Sequence, residues 1–97
     1  MKMLDSVQLH VRKLVQDLDN GIVIESEVMY GNSKLEYALS KDEYMASVSI
    51  LSDYTYDYFT VEIESEDVLI IKTERYSDLD RLLAQLKEDI YSFSVLK

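Results

Sequence analysis

Residues 44–63 read YMASVSILSDYTYDYFTVEI, two alternating runs about a polar turn. Tyr44, Ala46, Val48 and Ile50 recur at every second position, the period of a strand with one buried face. Residues 52–55 supply turn-forming side chains, and Phe59, Val61 and Ile63 then alternate in the second run. The spacing pairs Val48 with Phe59 and Ala46 with Val61. Apolar residues meet apolar residues, so the stretch predicts an antiparallel hairpin.

The same logic extends in both directions. Upstream, Leu35, Tyr37 and Leu39 line a strand joined to Tyr44 by a loop over residues 40–43. That loop pairs Leu39 with Tyr44 and Tyr37 with Ala46. Before it, Ile22, Ile24, Ser26, Val28 and Tyr30 share a face. Gly31-Asn32 serves as a two-residue hairpin turn that pairs Val28 with Leu35 and Ile24 with Leu39. Downstream, Ser65-Glu66-Asp67 turns the chain into Leu69, Ile71 and Thr73, which pairs Val61 with Ile71 and Ile63 with Leu69.

Helices flank these strands. Leu4, Val7, Val11, Leu14, Val15 and Leu18 recur at helical spacing, and Asn20-Gly21 ends that run. Ser77 is the expected cap of the last helix, with Asp78 and Asp80 in its first turn. Leu79, Leu82, Leu83, Leu86, Ile90 and Phe93 form its apolar stripe. The expected fold is therefore α+β in two layers: helix, five-stranded antiparallel meander, helix, both helices on one sheet face. The 97 residues make one domain.

Charge narrows the function. Net charge is −9, so binding to nucleic acid or to an anionic membrane surface is disfavoured and a basic protein is the favoured partner. Residues 42–71 contain no Lys or Arg but hold eight carboxylates and four of the eight tyrosines. Acid steers a cationic partner, and tyrosine offers rigid contact area. The plain alternative is a solvated face that keeps the chain dispersed. There is no cysteine, which excludes disulfides and thiolate chemistry. Met1-Lys2-Met3-Leu4-Asp5 does not read as a signal peptide, and Val68-Leu69-Ile70-Ile71 is too short to span a bilayer. A cytoplasmic location is expected.

Two groups of candidate binding residues emerge. With Phe59, Val61 and Ile63 facing the core, Tyr54, Tyr56 and Tyr58 fall on the other face beside Asp53 and Asp57. They are expected to be open to a partner. The uncovered sheet face should also carry Glu27 opposite Glu36, with Glu62 and Glu64 nearby. Like charges directly opposed are destabilising, by something up to about 1 kcal/mol, with Lys34 close enough to relieve them. Packed tyrosines and chance acid pairs are the plain readings of the same residues.

Catalytic chemistry lacks its parts. His10 is the single histidine, on the first helix beside the apolar stripe, where a surface or boundary role is the ordinary one. No catalytic, cofactor or metal residue is assigned, and a calcium loop around Asp53 and Asp57 would lack its glycine and closing glutamate. The expectation is a binding protein, not an enzyme.

Ala46-Ser47-Val48-Ser49-Ile50, Tyr54-Thr55-Tyr56-Asp57-Tyr58 and the run from Tyr76-Ser77-Asp78-Leu79-Asp80 to Leu86 resemble the small immunity proteins of bacterial polymorphic toxin systems, in particular the TriTu type. The similarity covers residues 22–90 at the level of pattern; the family's tryptophan-bearing strands have no counterpart in this Trp-free chain. It implies a cytoplasmic antidote that binds and occludes a cognate toxin domain; with the acidic charge of the chain, the expected toxin is basic, such as a nuclease, and the chain a monomer or weak dimer. The other readings are an acidic secretion chaperone or adaptor, which would be a stable dimer with an apolar groove, a nucleic-acid-mimic inhibitor with carboxylates spaced like phosphates, and a structural subunit without a site.

Overall fold

The computed structural model describes residues 2–18 and 21–96. Helix α1 (Met3–Leu18) is followed by β1 (Val23–Tyr30), β2 (Lys34–Lys41), β3 (Tyr44–Leu51), β4 (Thr55–Glu62), β5 (Val68–Arg75) and helix α2 (Leu79–Ser94). The strands form one antiparallel sheet in sequence order, and both helices pack on the same face of it. The fold is α+β in two layers, as the periodicities predict. Asn20, the expected stop of α1, lies outside the described residues. Gly21 beside it has φ +83°, the left-handed backbone that glycine adopts without strain. The cap of α2 is Asp78 rather than Ser77: its carboxylate accepts from the Arg81 N–H at 2.9 Å.

The core is made by the two helical stripes on the middle strands. Val7 and Val11 of α1 and Leu82, Leu86, Ile90 and Phe93 of α2 are buried against Leu35, Leu39, Val48 and Ile50. The β2–β3 turn is tighter than expected, two residues with Asp42 at φ +52°, so Leu39 pairs with Ala46 rather than Tyr44. A two-residue slip keeps every side chain on its face.

Elsewhere the shift is odd and the faces exchange. In β1 a bulge between Ile24 and Ser26 inserts Glu25, and the hairpin turn spans residues 31–33. Met29 therefore pairs with Leu35 and Glu27 with Tyr37 on the helix side, while Val28 and Tyr30 face outward. In β4, Val48 pairs with Tyr58 and Ala46 with Thr60, one residue away from the expected Phe59 and Val61. A second bulge, at Leu69, places Val61 opposite Val68 and Thr60 opposite Ile70.

Both helices run in the same direction. Lys2 to Asp5 border the β1–β2 turn, sharing a hollow with Met29, Gly31 and Asn32. At the opposite end of the sheet, the Lys41 ammonium beside the β2–β3 turn donates to the Leu96 carbonyl after α2 at 2.9 Å.

Candidate functional surface

The tyrosine cluster is interior. Tyr56 and Tyr58 are 0% and 1% exposed, their rings stacked with centroids 6.2 Å apart. Burial pushes both phenols up in pKa, and Asp89 adds to the shift. Tyr54 is half-buried against the core, at φ +70° in a turn where the Asp53 carboxylate accepts from the Thr55 N–H at 3.0 Å. A bulky side chain in that region of backbone is strained. Of this group Asp53 and Asp57 reach the surface, and the Asp57 carboxylate is held by the Thr73 hydroxyl on the uncovered face.

The four glutamates are dispersed. Glu27 pairs with Tyr37 under the helices, whereas Glu36 pairs with Val28 on the uncovered face, so the expected opposition does not exist. Glu36 is bound by Lys34 at 2.7 Å. Glu62 closes β4 on the helix side and accepts from the Ser65 hydroxyl at 2.8 Å, and Glu64 is exposed in the following turn.

Two carboxylates under the helices are structural hubs. Glu27 accepts from Arg12 Nε at 3.0 Å, the Tyr37 hydroxyl at 2.7 Å and Gln8 Nε2 at 3.1 Å. The Arg12 guanidinium, first, and the Tyr37 hydroxyl hold its carboxyl below the ordinary glutamate value of 4.5. Because the folded value is the lower one, this stabilisation is present above pH 4.5 and is lost as pH falls through the folded value. Glu27→Gln should therefore flatten the decline of stability below pH 4.5, measured by denaturant unfolding across that range. An unchanged slope would remove Glu27 from the acid transition.

The second hub, Asp89, escaped the sequence reading. It is 5% exposed and accepts from Lys72 Nζ at 2.7 Å, the Tyr56 hydroxyl at 2.8 Å and Gln85 Nε2 at 3.1 Å, while its carbonyl accepts from the Tyr58 hydroxyl at 3.2 Å. Its place in the sequence was a signal: it stands three residues after Leu86 and four before Phe93, on the apolar stripe of α2.

The other candidate surface is the uncovered sheet face. Its rows read Ser26, Ala38, Ser47, Phe59, Ile71 and, beside them, Ser40, Met45, Val61, Val68. Small residues at the centre leave a shallow apolar hollow of about 190 Å³ between Met45, Phe59 and Val61. Ile71 is 73% exposed and Val68 52%. Open antiparallel faces are ordinarily polar, so this apolar half is unusual.

The apolar half runs into an acidic end. The β2–β3 and β4–β5 turns carry Asp42, Glu43, Glu64, Glu66 and Asp67, and the Ile63 N–H donates to the Glu43 carbonyl at 2.8 Å to tie them together. Both helices point their C-termini toward this end, and neither has a basic residue in its last turn. Helix C-termini carry partial negative charge, so the backbone adds to the carboxylates. Lys41 is the basic side chain of the two turns, and it is engaged by Asp42 and the end of α2. The described residues include no cluster of three or more potential metal ligands and no helix long and apolar enough to cross a membrane.

No protein-family model matches the chain, and no curated protein or solved structure matches it.

Proposed function

We propose that this chain is an immunity or inhibitor protein that binds and occludes a basic protein domain of the toxin class, such as a nuclease. The contact is made by the uncovered sheet face, with the tyrosines serving the core instead. The observation that carries the reading is the apolar patch of Met45, Phe59, Val61 and Ile71 abutting the acidic turns. An apolar centre with a charged border is the anatomy of a specific interface. The bulges at Glu25 and Leu69 disrupt both sheet edges, which disfavours strand addition and leaves the face as the docking element. Inhibition needs no reacting group: the partner's cationic groove is covered and its charge offset.

The test begins with capture from the native host at low salt and continues with the purified pair. Binding should weaken steeply as salt rises, through the association rate. Phe59→Asp should weaken it by roughly a hundredfold while the circular dichroism stays unchanged, a change of the size seen at interface hot spots. A captured partner that is not cationic, or one that binds Phe59→Asp as well as the parent, refutes the proposal.

A further inference from the structure

The hollow on the uncovered face has the size of one side chain. Its volume is about 190 Å³. That is below the ~300–1,000 Å³ of small-molecule pockets and close to the ~150 Å³ that accepts a benzene ring. A change of residue size along the sheet shapes it. Ala38 and Ser47 pair across β2 and β3, with Phe59 beside Ser47 on β4 and with Met45 and Val61 in the next row. Two small side chains are thus walled by three large ones, and the wall is apolar. Ser47 itself is exposed.

The surroundings of the hollow are acidic. The row that holds it and the rows on either side contain no Lys or Arg. On one side stands Asp57, in the row of Glu36, Ser49 and Thr73. On the other, beyond Met45 and Val61, lie the turns with Asp42, Glu43, Glu66 and Asp67. The nearest cations are engaged. Lys34 and Arg75 stand one row beyond Asp57, where Lys34 is bound by Glu36 at 2.7 Å and Arg75 Nε donates to the Asp53 carbonyl at 3.2 Å. Lys41, beyond Met45, donates to the Leu96 carbonyl on the helix side. An apolar recess between carboxylates is complementary to an apolar side chain between cations.

We propose that the hollow receives one bulky apolar side chain of the protein partner, aromatic or leucine, carried between two lysine or arginine residues, and that Ala38 and Ser47 set the room for it. This rests on the reading of the uncovered face as the partner-binding surface. Neighbouring rows of the sheet lie roughly 7 Å apart, two residues at about 3.4 Å each, and side chains on one face of an extended segment have the same spacing. A segment of the form Lys-x-Phe-x-Lys therefore places its ring in the hollow, one cation at Asp57 and the other toward the acidic turns. A second copy of this chain is the poorer occupant, because each copy carries a net charge of −9.

The experiment is an NMR titration of the isotope-labelled full chain with the blocked peptide acetyl-Lys-Gly-Phe-Gly-Lys-amide at low salt. Saturable shifts are expected at the amides of Ala38, Ser47, Phe59 and Val61. The peptide with Ala in place of Phe, and the one with Glu in place of both Lys, should each bind at least about tenfold more weakly. Ser47→Leu, which fills the hollow, should weaken binding at least about tenfold, whereas Ser47→Ala should retain it, both with circular dichroism unchanged. No saturable shift up to the solubility limit, or binding indifferent to the ring or to Ser47→Leu, overturns the hollow as the anchor site. Binding indifferent to the charge reversal overturns the flanking cations. Shifts at the same amides on concentrating the free chain assign the hollow to a second copy and overturn the proposal. With the captured partner, a loss on Phe59→Asp but none on Ser47→Leu refutes this anchor and leaves the proposed function standing; a captured partner that is not cationic refutes the function whatever the peptides show.

Discussion

Asp89→Ala is expected to destabilise the protein by about 3–5 kcal/mol, a large share of the stability of a domain this size. The variant removes the acceptor of three donors at once: the Lys72 ammonium, the Tyr56 hydroxyl and the Gln85 amide. Tyr56 is fully buried, so its hydroxyl would lose its acceptor in the interior. The Lys72 side chain, 34% exposed, recovers part of its hydration, which keeps the loss from being larger. Thermal unfolding should show it as a fall of several degrees per kcal/mol, roughly 4–8 °C each at this chain length. The combination Asp89→Leu, Lys72→Met, Tyr56→Phe should recover much of the loss, because a buried ion pair exchanged whole for apolar groups is often close to neutral. A loss below about 1 kcal/mol for Asp89→Ala would mean that the network is not the anchor between α2 and β4.

The second large effect is a contrast between neighbours. Tyr58→Ala should cost about 3–5 kcal/mol and Phe59→Ala about 1 kcal/mol. Tyr58 is 1% exposed, stacked on Tyr56, with the Lys72 ammonium 5.8 Å from its ring centroid. Truncating it opens a cavity under α2. Phe59 stands on the uncovered face, where water can fill the space it leaves. Periodicity alone predicts the reverse order, since it puts Phe59 in the core. Equal costs for the two, measured by urea unfolding, would argue against the register described for β4.

That contrast marks where the sequence was legible. The stripes of α1 and α2 and the faces of β2 and β3 follow from strict apolar periodicity, and an even slip in the β2–β3 turn left those faces untouched. In β4 both alternations are apolar: Tyr54, Tyr56 and Tyr58 on one, Phe59, Val61 and Ile63 on the other. Hydrophobicity could not choose between them. The choice lies 33 residues downstream, in the carboxylate of Asp89 that receives the Tyr56 hydroxyl. In β1 the bulge at Glu25 reverses the alternation halfway, and Glu27 can sit under the helices because Arg12, Gln8 and Tyr37 satisfy it. For the candidate site, the acidic turns were visible in composition. The apolar half of the uncovered face was only partly so: Met45 and Val68 read as outward-facing, but Phe59, Val61 and Ile71 were assigned to the core.

Two helices lying side by side in the same direction, with carboxylated turns beyond their C-termini, give the molecule a permanent dipole along the helix axes. In the field of a cationic partner such a body feels a torque as well as an attraction. Under the proposed function it would arrive turned end-on, with its acidic turns leading and the apolar sheet face adjoining them. Fewer encounters are then spent in unproductive orientations.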